Sequence, residues 1–235
     1  MRLLLISNST NPGEAYLDYP KQEIKQFLGN QPLTALFIPY AAVTFSFDLY
    51  EQKVAERFGE LGYQVKSIHH FSDPVQAVKD AQVIVVGGGN TWQLVRMMHD
   101  NQLMEPIREK VLGGTPFVGW SAGSNVTCPT LRTTNDMPII DPLGFDTLGL
   151  VPFQINPHYM DANPEGHGGE TREQRIEEFM EINPALYVVG LREGTMLRVE
   201  DNQMRLIGNR KARIFKKGTT PLELSAGDNF SFLLE

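Results

Sequence analysis

Five short apolar runs, at residues 2–7, 33–40, 65–69, 83–86 and 116–120, recur through the first half of the chain with helix-forming stretches between them. That alternation leaves few architectures open. The runs are continuously apolar rather than alternating, which is the pattern of strands buried on both faces. Strands separated by helices make right-handed βαβ units, and these assemble a parallel sheet with helices on both faces. The helix signals are local. Residues 47–61 place Leu49, Val54, Phe58 and Leu61 near one face, and Gly62 follows as a stop. Asp73-Pro74 supplies an N-cap and a first-turn proline for a short helix. Helical patterns also cover 92–98 and 103–111. In sheets of this kind ligands sit beyond the carboxyl ends of the strands. Two segments fall there: Gly87-Gly88-Gly89-Asn90-Thr91 after the fourth run, and the stretch opening at Ser121 after the fifth.

The second half is less regular. Residues 128–145 are rich in Thr, Asp, Pro and Gly and read as a structured excursion. A strand is expected at 150–156, a helix at 171–182 and a strand at 187–190. Residues 196–200, 204–207 and 213–216 read as short antiparallel strands, the first pair turned by Asp201-Asn202. No linker or repeat divides the chain, so the expectation is a single domain over 1–235. Its fold class is α/β, a mostly parallel sheet with helices on both faces and a short antiparallel C-terminal portion.

Composition narrows the function classes. The 28 acidic and 21 basic side chains leave a net charge of −7, which argues against nucleic acid or an anionic membrane as partner. No apolar run approaches the ~18 residues that span a bilayer. The run at 3–6 is too short for a signal-peptide core, so a cytoplasmic protein is expected. Cys128 is the only cysteine, which excludes an internal disulfide and any multi-cysteine metal site.

The sharpest chemical signal is Gly119-Trp120-Ser121-Ala122-Gly123, a G-x-S-x-G directly after an expected strand. A tight strand-to-helix turn lifts the serine hydroxyl out of the sheet, and small flanking residues let the helix start close to the strand. The helix start aims N–H groups at developing negative charge. Gly87-Gly88-Gly89 can bring backbone N–H groups up to a ligand. It matches neither phosphate-binding glycine pattern, and beside a serine elbow it reads as half of an oxyanion hole. A serine nucleophile needs a base. Of the five histidines, His69, His70 and His99 read as surface or structural. His158 follows an expected strand into a loop and is the preferred base, with His167 next. The third group, which holds the imidazole, is open among Asp136, Asp141, Asp161 and Glu193. Glu193 is favoured because it ends a core strand, where a rigid scaffold fixes a side chain. The polar stretch of His158, Asp161, Glu165, His167 and Glu170 matches no metal-ligand spacing, so no metal or other cofactor is expected. Cys128 lacks an elbow and is set aside as nucleophile.

These motifs, taken together and in this order, resemble the peptidase E family of α-aspartyl dipeptidases. The resemblance rests on Gly119-Trp120-Ser121-Ala122-Gly123, on the segment from Arg132 through Asp136 to Ile139, and on Gln154-Ile155-Asn156-Pro157-His158. Gly87-Gly88-Gly89-Asn90-Thr91, the segment from Pro164 to Arg175 and the opening Leu3-Leu4-Leu5-Ile6-Ser7-Asn8 add to it. It covers nearly the whole chain and weakens after about Met204. It implies a class I glutamine-amidotransferase-like, flavodoxin-like fold and a serine hydrolase that cleaves dipeptides, and some tripeptides, after an N-terminal aspartate. It implies Ser121 as nucleophile, His158 as base, and either Asp136 or Glu193 as triad acid. The oxyanion hole would be the N–H groups of Gly89 and Ala122. Asn90, Arg172 and Arg132 are the expected substrate-binding residues, an arginine fork being suited to the substrate's side-chain carboxylate. The expected partner is a small peptide with an N-terminal Asp, with room for a homodimer. The competing readings are a β-aspartyl, cyanophycinase-like serine peptidase and a non-enzymatic flavodoxin-like binding domain. A conventional α/β-hydrolase fits less well, because its histidine falls late in the chain and the last one here is His167.

Overall fold

The computed structural model describes every residue except Pro164 and His167. Five strands form the parallel centre: β1 (Arg2–Ile6), β2 (Thr34–Ile38), β3 (Gln64–Ser67), β4 (Val83–Val86) and β5 (Phe117–Trp120). The hairpin of β8 (Met196–Glu200) and β9 (Gln203–Ile207) adds to β1 in antiparallel sense. The resulting seven-stranded sheet has the order β3-β2-β4-β5-β1-β8-β9.

Both faces are covered, as the continuous apolar runs require. Along β1, Leu4 and Ile6 face one core with α1 (Lys21–Leu28) and α2 (Phe47–Glu60). Leu3 and Leu5 face the other core, with α3 (Pro74–Asp80), α4 (Thr91–Asp100) and α5 (Met104–Leu112). The strand period of two sends successive side chains to opposite layers. Asp73 caps α3, its carboxylate accepting from the Gln76 N–H. Gly62 takes a φ of 83° just past α2.

Three expectations need correction. Helix α1 is absent from the sequence reading, because only Ile24 and Phe27 are buried along its eight residues and Pro20 precedes it without a side-chain cap. The third strand stops at Ser67, and His69 and His70 belong to a 3₁₀ turn over Ile68–His70. The strand expected at 150–156 is displaced: β6 spans Gln154–Tyr159 and carries His158 within it.

The antiparallel C-terminal portion is divided between two sheets. Strand β6 pairs in parallel with β7 (Tyr187–Arg192), and β10 (Ala212–Lys216) and β11 (Leu222–Leu224) complete a second sheet of order β11-β10-β7-β6. One face of this sheet, through Ile155, Val189, Leu191 and Ile214, joins the core of α3, α4 and α5. The other face packs Tyr159, Val188 and Phe215 on Ile176 and Met180 of α7 (Arg172–Ile182). A full capping box of Thr171 and Gln174 starts α7. No helix among the described residues is long and apolar enough to cross a membrane.

The two sheets meet at Ser7, just past the end of β1. Its buried hydroxyl donates to the Leu191 carbonyl at 2.7 Å and accepts from the His158 N–H at 3.0 Å. Ser7→Ala is therefore expected to lower the unfolding free energy by about 1–3 kcal/mol, the cost of leaving buried polar groups unpaired. Chemical denaturation of the variant beside the parent checks this, and a change below about 0.5 kcal/mol would remove Ser7 as the bridge.

Candidate active site

Strand β5 ends against a turn whose backbone only small residues can follow. Ser121 sits at φ 53° and ψ −114°, a combination that costs a non-glycine residue roughly 1–3 kcal/mol. The surroundings hold it there. Its N–H donates to the Ile6 carbonyl at 3.0 Å, and its own carbonyl accepts from the N–H groups of Ser124 and Asn125. The Ser124 hydroxyl lies 2.7 Å from the Ile6 carbonyl and 2.9 Å from that of Gly119. The flanking glycines are required by contact: a Cβ on Gly123 would lie 2.1 Å from the Val86 carbonyl oxygen, and one on Gly119 would lie 2.3 Å from that of Gly123. The short helix α6 (Ala122–Asn125) thus starts directly at the serine.

The loop after β4 closes on this elbow. At Gly88 an added Cβ would meet the Cβ of Ser121 at 2.9 Å, so the two segments touch. Gly89 has φ 138° and leaves no space for a side chain beside the Ala41 carbonyl. Among the described residues the N–H groups of Gly89 and Ala122 have no acceptor. Tyr50 of α2 supports the loop from behind, its hydroxyl donating to the Gly88 carbonyl at 2.8 Å and accepting from the Trp120 indole at 3.2 Å. Burial pushes the Tyr50 phenol up to about 12, so it stays a donor.

His158 comes from the second sheet. It lies at a β-bulge, where the register of β6 on β7 shifts between Pro157 and Tyr159, and has φ 54°. A bulge re-aims a side chain, and here it turns the imidazole toward Ser121. Nε2 is 2.9 Å from the Ser121 hydroxyl and Nδ1 is 2.7 Å from Glu193 Oε1. Glu193 follows β7, where Arg192 is tied to Asp161 and Glu223. Both imidazole nitrogens are thus engaged, and Asp136 touches neither. The Asp136 carboxylate instead accepts, through Oδ2, from the N–H and hydroxyl of Thr91 and from the Thr134 hydroxyl, at 2.7, 2.7 and 3.0 Å. It sits at the start of α4, where the helix dipole favours negative charge.

Ser121, His158, Glu193, Asp136, Gly89 and Arg172 line one cavity of about 600 Å³. Arg172 opens α7 and donates to Asn135 Oδ1 at 2.5 Å. Among the described residues it makes no ion pair. Burial lowers its pKa from the usual arginine value, Arg175 adds to the lowering and Asp136 opposes it. Arginine remains charged at neutral pH under such a shift. Two expected binding residues are placed elsewhere. The Arg132 guanidinium stands 4.7 Å over the Phe145 ring, outside this cavity, because that aromatic face offers it a partner. The Asn90 amide caps α4 by accepting from the Gln93 N–H and donates to the Met137 carbonyl, so it shapes the loop rather than facing the cavity. Of the remaining carboxylates weighed as orienter, Asp141 accepts from the Leu143 N–H and Asp161 pairs with Arg192. The alternative base His167 lies outside the described residues.

Ser7, Tyr50 and Asn135 were not singled out in the sequence. Each acts through a partner distant along the chain. Only the position of Ser7 at a strand's carboxyl end gave a hint.

A family model described as peptidase family S51 matches residues 3–207. The chain belongs to peptidase family S51. It is 54% identical over 234 residues to a protein named Peptidase E from Nostoc sp., covering 100% of this chain and 97% of that one. It is 48% identical over 230 residues to Peptidase E of Salmonella typhimurium, covering 98% and 100%. Two solved structures share the fold at 21% identity. A peptidase from an acI-B1 Actinobacterium aligns with a TM-score of 0.72, covering 98% of this chain and 96% of that one. A putative peptidase E from Listeria monocytogenes aligns at 0.59, covering 95% and 98%. Family S51 peptidases are serine peptidases, and the sheet is flavodoxin-like.

A thiol has no part in the site of this S51 peptidase. Cys128 is fully buried, accepts from the Ile155 N–H at 3.1 Å, and burial pushes its thiol up to about 12. The thiolate is the reactive form, so at pH 8 the native protein is expected to resist labelling by Ellman's reagent, with one thiol appearing on denaturation. Rapid stoichiometric labelling of the folded chain would contradict this burial.

Proposed function

We propose that this serine peptidase hydrolyses the peptide bond after an N-terminal aspartate in dipeptides and some tripeptides. The observation that carries the reading is a half-buried guanidinium, making no ion pair among the described residues, in the cavity that holds the serine. Arg172 has donors left over after its bond to Asn135, and a carboxylate is the ligand such a fork takes most strongly. Asp136 lines the same cavity, and with Oδ2 saturated its Oδ1 is available to a substrate ammonium. A cationic and an anionic group on one wall complement an N-terminal aspartate, which carries one charge of each sign.

The chemistry follows from the distances. Ser121 Oγ attacks the carbonyl carbon while His158 Nε2, 2.9 Å away, takes its proton. The carbonyl oxygen becomes an oxyanion between the Gly89 and Ala122 N–H groups, and each such donor supplies about 2.7–4 kcal/mol of transition-state stabilisation. His158 then gives the proton to the leaving amine and the C–N bond breaks. Water enters, loses a proton to His158 and attacks the ester carbon; the bond to Ser121 Oγ breaks, His158 returns the proton to the serine and the aspartate leaves. Glu193 holds Nδ1–H and fixes the tautomer that leaves Nε2 free to accept. Asp136 is assigned to binding because no imidazole nitrogen is left for it.

Ser121→Ala is expected to abolish Asp-Leu hydrolysis with unchanged circular dichroism; a near-normal rate in the folded variant would remove Ser121 as nucleophile. Glu193→Gln is expected to cut kcat by roughly 10²–10⁴ with little change in KM. Asp136→Asn is expected mainly to raise KM, as loss of uniform binding does. The reverse pattern would make Asp136 the orienting acid.

Arg172→Ala is expected to lower kcat/KM for Asp-Leu by roughly 30-fold, about 2 kcal/mol, and to narrow its lead over Asn-Leu. Steady-state kinetics on the two dipeptides measure this, and a variant that kept the parent's discrimination would have no carboxylate reader at Arg172.

A further inference from the structure

We propose that Asp48, Glu51, His69 and His70 form a structural binding site for a divalent transition-metal ion, zinc above all, separate from the catalytic cavity. One ligand atom from each of the four lies within 4.8 Å of every other. None of the four lines the cavity that contains Ser121.

Two distant segments build the cluster. Asp48 and Glu51 are three residues apart in the first turns of α2, so both carboxylates project from one side of the helix. His69 and His70 lie in the 3₁₀ turn after β3, with ring centroids 3.9 Å apart. His69 Nε2 is 2.9 Å from Asp48 Oδ1, and His70 Nε2 is 2.7 Å from Glu51 Oε2 and 3.6 Å from Asp48 Oδ1. The four groups thus converge on one another rather than dispersing into solvent.

Two of the ligands are already held in place. The Ser67 hydroxyl is 2.6 Å from His69 Nδ1, which leaves Nε2 as the outward-facing nitrogen. The Ser67 N–H donates to Glu51 Oε1 at 2.6 Å, which leaves Oε2 turned toward His70. A partner on the remote imidazole nitrogen and on the remote carboxylate oxygen is the arrangement that orients metal ligands. Asp48 and His70 are the more exposed pair, with side chains 77% and 43% exposed. Tetrahedral zinc at bond lengths near 2.0–2.2 Å separates its ligand atoms by roughly 3.3 Å, so modest rotations of these two that open the pairs at 2.7 and 2.9 Å and draw in the wider ones, all within 4.8 Å, fit the ion.

The donor set selects the ion. Two imidazoles and two carboxylates suit zinc and its neighbours rather than calcium or magnesium, which prefer oxygen alone. Two carboxylates balance a dication, and they offset the repulsion a cation meets at the start of a helix. Four protein ligands leave no open position, which is the mark of a structural rather than a catalytic zinc. The ion would tie the start of α2 to the end of β3. Tyr50, the support of the Gly88 carbonyl, neighbours Glu51 on that helix.

The test uses the untagged full-length chain, stripped with chelator and titrated with Zn²⁺ by calorimetry and with Co²⁺ by visible absorption. One ion per chain is expected, with the intense visible bands of tetrahedral Co²⁺. His69→Gln and His70→Gln should each weaken Zn²⁺ binding at least tenfold, whereas His158→Ala should leave it in place. Asp48→Asn, a change on the open surface that leaves folding intact, should also weaken it and remove the Co²⁺ bands. No saturable binding, a loss of less than tenfold in both histidine variants, or binding that disappears with His158 would overturn the proposal.

Discussion

The close approach of α6 to the sheet, set by the contact between Gly123 and the Val86 carbonyl, governs the rest of the site. With α6 that near, the chain must turn within one residue, and that residue is Ser121 at a positive φ. The strain is affordable because β1 over-determines the turn. The Ile6 carbonyl accepts from both the Ser121 N–H and the Ser124 hydroxyl, and the next residue, Ser7, fixes the backbone of His158. One strand end therefore sets the Ser121 hydroxyl and the His158 imidazole against each other, though they come from different sheets. A distance of 2.9 Å between Nε2 and Oγ is what such a common reference makes reproducible.

Charge is distributed around that centre by the helix starts. Asp136 lies on the amino end of α4 and Arg172 opens α7, so the polar wall of the cavity is built from fixed elements, although the segment of Asp136 reads as an irregular excursion in the sequence. Tyr50 links the glycine loop after β4 to α2, and the first turns of α2 also carry Asp48 and Glu51 of the histidine and carboxylate cluster.

Much of this was legible in the sequence, and the rest was hidden for identifiable reasons. Continuous apolar runs revealed β1, β2, β4 and β5 because burial on both faces forbids polar alternation. The Gly119–Gly123 motif was legible because steric contact leaves glycine no substitute there. Glu193 could be favoured from its place at a strand end. Helix α1 was hidden because it buries only two side chains, and the placement of β6 was hidden because a bulge breaks the period at Pro157. The division of the C-terminal strands between two sheets depends on pairings between β7 and β10 that no local pattern encodes. Arg132 was misplaced because composition cannot distinguish an arginine stacked on Phe145 from one facing a ligand. Ser7 and Tyr50 were missed because their partners lie 151 and 38 residues away in the chain.

The central claim is that a serine centre beside Arg172 and Asp136 selects an N-terminal aspartate joined through its α-carboxyl. The most direct measurement is hydrolysis of Asp-Leu by the unmodified protein beside Asn-Leu, Glu-Leu, Leu-Leu and β-aspartyl-Leu. Rejecting an isostere that lacks the charge of a bidentate partner is worth roughly 2 kcal/mol or more, so kcat/KM for Asp-Leu should exceed that for Asn-Leu by at least about 30-fold. Leu-Leu and the β-linked isomer should be poorer still. Equal cleavage of Asp-Leu and Leu-Leu, or preference for β-aspartyl-Leu, would contradict the account.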